Sequence, residues 1–61
     1  MRVGDLVRLR RNTIVPDPRE HERVLIFLGL VESGNIWFYD GKFLDPTLGV
    51  VVCNPHMFEV I

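Results

Sequence analysis

The sequence predicts an all-β fold, a small barrel of about five short antiparallel strands. Three observations carry this. Beta-branched and aromatic residues recur in short runs, and Gly or Pro interrupts the chain every few residues. No stretch shows the apolar spacing of a stable helix. The two ends match: Met1-Arg2-Val3-Gly4-Asp5-Leu6-Val7-Arg8-Leu9 is a turn feeding a strand, and Asn54-Pro55-His56-Met57-Phe58-Glu59-Val60-Ile61 is a tight turn feeding a short strand. Such ends suit a barrel whose first and last strands lie side by side.

In chain order, Gly4-Asp5 makes a turn and Leu6 to Arg10 reads as a strand. Val7 and Leu9 point one way, Arg8 and Arg10 the other. Residues 11–22 form a long polar first loop. Its Val15-Pro16-Asp17-Pro18 piece is extended, because each proline disfavours the α region in the residue before it. Arg23 to Val31 is the strongest strand and Glu32-Ser33-Gly34-Asn35 a hairpin turn. Ile36 to Tyr39 returns, Asp40-Gly41 signals a type I′ turn, and Lys42 to Leu44 is a short strand. Asp45-Pro46-Thr47-Leu48-Gly49 turns again into a strand from Val50 to Cys53. Asn54-Pro55 starts a 3₁₀ turn, and Glu59 to Ile61 closes the sheet.

The 61 residues bound one domain, here residues 1–61. A chain this short buries only about 60% of the surface it exposes unfolded, so it is marginal alone and gains from a partner. Cys53 is its one cysteine, which leaves no disulfide within the chain and suits a reducing compartment. Residues Met1 to Leu9 have no apolar run of the signal-peptide kind, and Val24 to Val31 is too short to span a bilayer. Membrane partners are therefore not expected. With seven basic and eight acidic residues, the net charge of −1 is no footprint of a general nucleic-acid binder.

The patterning of the middle strands is unusual. A half-buried strand alternates apolar and polar residues. Here Val24, Ile26, Leu28 and Leu30 fall on one face, and Leu25, Phe27 and Val31, with Gly29, on the other. Ile36-Trp37-Phe38-Tyr39 and Val50-Val51-Val52-Cys53 are also apolar on both faces. One small barrel has one interior, so the outer face is expected to be covered by a partner or a second copy, or else in part by the long loop at residues 11–22 with the remainder exposed. Phe27, Trp37, Phe38 and Tyr39 are the candidate anchors, and Phe58 belongs to the same search. Val15 and Pro16 of the extended loop are candidates to lie along a neighbour.

Chemistry is thinly represented. Cys53 and His56 form a Cys-x-x-His element, but a tetrahedral zinc site needs about four ligands. The only other histidine is His21, in the loop. Adjacency in sequence does not orient a Cys–His catalytic pair either. Asp17, Glu20 and Glu22 sit among Arg19, His21 and Arg23 as a charge-balanced loop, and the five glycines form no phosphate loop. No catalytic residue, metal ligand or cofactor is assigned, and no enzymatic activity is expected. Arg8, Arg10 and Arg11, beside an aromatic, are the candidates for a single-strand nucleic-acid surface that combines stacking with charge.

Val3-Gly4-Asp5-Leu6-Val7-Arg8-Leu9 resembles the opening of many small SH3-like barrel proteins. Leu28-Gly29-Leu30-Val31 followed by Ile36-Trp37-Phe38-Tyr39-Asp40-Gly41-Lys42 resembles the central hairpin of short proteins of tailed bacteriophages. Pro55-His56-Met57-Phe58-Glu59-Val60-Ile61 is similar to their closing element. The longer first loop and the valine run 50–52 depart from that pattern. The resemblance implies an SH3-like barrel and a non-enzymatic structural or accessory protein of the virion. It would dock on a capsid, portal or tail protein. The alternative expectation is a small nucleic-acid- or host-protein-binding module in the host cytoplasm. No catalytic residue carries over, because the resemblance implies none.

Overall fold

The computed structural model describes residues 1–32 and 39–61. The described residues are all-β: β1 (Leu6–Leu9), β2 (Leu25–Glu32), β3 (Tyr39–Asp45), β4 (Gly49–Cys53) and β5 (Phe58–Val60). They form one antiparallel sheet in the order β4-β3-β2-β1-β5, curled into a small barrel-like fold. The two chain ends do lie side by side. Val7, Arg8 and Leu9 pair with Val60, Glu59 and Phe58.

Alternation decides which side of each strand faces in. Val7 and Leu9 of β1, Leu25 and Phe27 of β2, Phe43 of β3 and Phe58 of β5 make the core, with Val15, Val51 and Cys53 packed against it. Phe43 is fully buried at the centre. Its ring lies 4.5 Å from that of Phe58 and 5.5 Å from that of Phe27, both tilted, within the usual range for aromatic pairs. The contact from β3 to β5 is what curls the sheet onto itself. Phe27 and Phe58 are therefore core residues. Phe27, only 4% exposed, is not available as an anchor for a partner.

Two local readings differ from the expectation. The first concerns Asp40-Gly41, which lies inside β3 and is no turn. Gly41 is paired on both sides, with Leu30 of β2 and Cys53 of β4. Ladders on both flanks outweigh the local turn preference. The glycine is there for space: a Cβ on Gly41 would lie 2.5 Å from Phe43 Cε2 and 3.1 Å from Pro55 Cβ. The Phe43 ring, held between two others, has nowhere to go. Gly41→Ala is accordingly expected to cost about 1–3 kcal/mol by overpacking, read as a lower urea midpoint with an unchanged slope.

The second difference is a β-bulge. Phe27 pairs with Phe43, but Gly29 pairs with Lys42, so Leu28 is the extra residue. Gly29 has φ +130°, a conformation that residues with a side chain rarely adopt. Directly opposed residues share a face. Beyond the bulge, then, Leu30 shares the inner side with Gly41, and Val31 the outer side with Asp40. The expected grouping of Leu30 with Ile26, and of Val31 with Phe27, is broken there.

The turns hold their place through polar side chains. Asp45 Oδ1 accepts from Thr47 N–H (2.8 Å) and Leu48 N–H (3.2 Å), and Gly49 enters β4 at φ +83°. Asn54 caps the expected 3₁₀ turn Pro55–Met57, its Oδ1 accepting from His56 N–H at 2.9 Å. The first loop holds a further 3₁₀ segment, Pro18–Glu22, capped by Asp17. Its polarity reads as plain loop, yet Asp-Pro is an N-cap followed by the proline favoured at N1. The expected turn at 32–35 and the return strand from Ile36 lie mostly outside the described residues, as do Trp37 and Phe38.

Candidate docking face

The outer side of the sheet carries a straight apolar row. Leu6 of β1 pairs with Ile26 of β2, Ile26 with Leu44 of β3, and Leu44 with Val50 of β4. Four strands thus present one large aliphatic side chain each, in register. The inward fixing of Val7, Leu25, Phe43 and Val51 forces these sequence neighbours outward. Leu6 and Val50 are more than half exposed, Leu44 somewhat less, and Ile26 is partly covered by its neighbours on either side. Val24, Val52 and Ile61 extend the apolar surface around the row.

Polar groups on the same side stand at its margins. Arg8 Nε lies 3.4 Å from Glu59 Oε1 across the β1–β5 pair. Lys42 sits between Gly29 and Val52. The row itself bears no charge, so nothing along it opposes removal from water.

Of the expected anchors, Trp37 and Phe38 lie outside the described residues, and the others do not fall on this row. Tyr39 is 59% exposed, but by alternation from Phe43 it belongs to the inner side, where β3 leaves the barrel end opposite Glu32. Val15 is half-buried against the core, and Pro16 is exposed beside it. Both line a groove of about 370 Å³ at one end of the barrel, together with Leu9, Leu48, Val51 and Phe58. The loop thus covers part of the barrel's own end.

That groove is closed on one side by an ion-pair cluster. The guanidinium of Arg23 donates to buried Asp45 through one nitrogen and to Glu20 Oε2 (3.1 Å) through the other. The Arg23 contact is the main cause holding the Asp45 carboxyl below its ordinary range, with the Thr47 and Leu48 amides adding to it against the opposing effect of desolvation. The cluster ties the first loop to the β3–β4 turn. No feature of the sequence marked Asp45 as buried, because its partner is 22 residues away.

Of the three arginines expected to face nucleic acid, Arg8 is paired with Glu59. Arg10 donates through Nε to the His56 carbonyl at 2.9 Å. Arg11 is exposed and lines a shallow groove with Arg8, Leu9 and His21. Cys53 is half-buried against the core, and burial, reinforced by Asp40, pushes its thiol above the ordinary value. His56 is exposed in its turn. Among the described residues no three metal-ligating side chains converge. No helix among them is long and apolar enough to cross a membrane.

Compared with protein-family models, with curated proteins and with solved structures, the chain has no match.

Proposed function

We propose that this chain is a non-enzymatic docking protein that adheres to a larger protein through the outer face of its sheet. The observation that carries the reading is the registered row Leu6–Ile26–Leu44–Val50, uncharged and exposed at both ends. Aliphatic side chains fixed on a rigid sheet lose little freedom on binding, so their burial goes largely into affinity. A domain of this size also gains stability from whatever binds only its folded form. The partner chemistry that suits the row is a flat, neutral, apolar surface on a protein assembly. The resemblance of the chain's ends and central hairpin to short phage proteins makes a capsid, portal or tail protein the favoured partner, and the virion the place.

The test is incorporation into particles, read by mass spectrometry of purified virions. Leu44 lies at the middle of the row and contributes nothing to the core. Leu44→Glu is expected to reduce docking by about tenfold or more, as removal of a central contact does. It should shift stability by no more than about 0.5 kcal/mol, as a surface substitution. A chain that docks equally well with Leu44→Glu, or that is absent from particles, removes the reading.

A further inference from the structure

The sheet has two edges, and they differ. β5 has three residues, and Glu59 places a charge on its outer side. β4 has five, Gly49-Val50-Val51-Val52-Cys53, with no charge, no proline and no bulge in its pairing with β3. Charges, prolines, bulges and shortness are the devices that keep a strand edge from pairing with another chain. β5 has two of them and β4 has none. Among the described residues β4 is bonded on one side only.

The hydrogen-bonding pattern identifies which backbone groups of β4 stand free among the described residues. Phe27 N–H donates to Asp5 O (2.9 Å), and Phe27 O accepts from Gly4 N–H (2.8 Å), so the backbone groups of Phe27 face β1. Alternation in antiparallel ladders then turns those of Ile26 toward Leu44, and those of Phe43 toward Val51. The N–H and C=O of Val50 and Val52 are left pointing away from β3.

We propose that β4 pairs antiparallel with β4 of a second copy of this chain, about a two-fold axis through Val51. The strand itself selects this occupant. Its sequence is symmetric about Val51 in size and polarity: small residue, valine, valine, valine, small residue. A two-fold there sets Val50 against Val52 of the second copy, and Val52 against its Val50. Those are the residues with free backbone groups, so both pairs are hydrogen-bonded. Val51 faces Val51 in the close, non-hydrogen-bonded position, and no charge meets a like charge. An isologous contact of this kind closes on itself as a dimer instead of propagating.

Pairing also joins the outer faces. Val50 of one copy becomes the cross-strand neighbour of Val52 of the other, so the two rows Leu6–Ile26–Leu44–Val50 share one continuous outer face, offset by two residues, with Lys42 beyond each Val52. The inference goes beyond the docking reading and doubles the face that reading uses. It stands or falls separately, because it concerns the edge and not the face.

The test uses the purified chain in three measurements. Light scattering across a concentration series should give a dimer. Val52→Pro removes an N–H that β3 does not use, and should return the chain to a monomer with cooperative unfolding retained. Val51→Cys in a Cys53→Ser background should cross-link two copies under mild oxidation. Its non-hydrogen-bonded position brings the Cα atoms within about 4.5 Å, inside disulfide reach. Val24→Cys, on β4-distant surface, should not cross-link. A chain that stays monomeric to millimolar concentration overturns the proposal, as does a dimer indifferent to Val52→Pro. Protection of the Val50 and Val52 amides only in the presence of a virion protein would assign the edge to that protein instead, and would also overturn it.

Discussion

Phe43→Ala is expected to abolish cooperative folding. The side chain is fully buried and, among the described residues, its ring contacts those of both Phe27 and Phe58. Truncating a buried phenylalanine costs about 3–5 kcal/mol, through lost burial and the cavity left behind. A 61-residue chain is expected to have only about 3–9 kcal/mol of stability in total. The loss also falls on the contact that curls the sheet, since Phe43 joins β3 to β5 across the barrel. Urea titration followed by circular dichroism should show no native baseline for Phe43→Ala at low protein concentration. Phe43→Leu, which keeps an apolar side chain, should retain a sigmoidal transition at a lower midpoint. A midpoint for Phe43→Ala close to that of the parent chain would show that the three rings do not form the core.

The second large effect is on acid stability, and it centres on Asp45. In the folded chain this carboxylate accepts from Arg23 and from two backbone amides, which holds its pKa below the ordinary value. Unfolded, it titrates near about 3.9. Between those two values the unfolded chain takes up a proton that the folded chain does not, so stability falls as pH falls. The contribution is complete above the unfolded value and gone below the folded one. Thermal midpoints are therefore expected to be flat from neutral pH to about pH 5 and to drop steeply below about pH 4.

Asp45→Asn keeps an oxygen for the Thr47 and Leu48 amides but loses the charge facing Arg23. It should lower the midpoint by several degrees at neutral pH and flatten the acid limb. Asp17 is also held low, chiefly by Arg19, but that pair is largely exposed. Asp17→Asn should leave most of the acid limb in place, since exposed pairs contribute little. An acid limb as steep in Asp45→Asn as in the parent would assign the pH dependence to other groups.

Much of the fold was legible because it rests on short-range rules. Val7 and Leu9 alternate with Arg8 and Arg10, and that alone orients β1. Asp45 to Gly49 and Asn54-Pro55 carry their turns in their residue types, and the first and last strands pair as their matching ends imply. What was misread are the places where two segments distant in sequence decide together. Asp40-Gly41 has the chemistry of a tight turn, and only pairing with both Leu30 and Cys53 makes it strand. Leu28 bulges because Phe27 and Gly29 meet successive residues of β3, which no run of apolar residues reveals. Phe27 looked like an anchor because β2 is apolar on both faces, and its pairing with Phe43 settles it inward.

The sequence by itself determined that this chain is built of short strands and tight turns, and that it has more apolar strand than one small interior can bury. Both follow from local conformational preference and from counting. The tertiary structure decided which apolar residues are left over. Val7, Leu25, Phe27, Phe43 and Phe58 close the barrel, and Leu6, Ile26, Leu44 and Val50 line up outside it. Only register makes that choice, because a slip of one residue exchanges the faces of a strand, and register is fixed by contacts between strands.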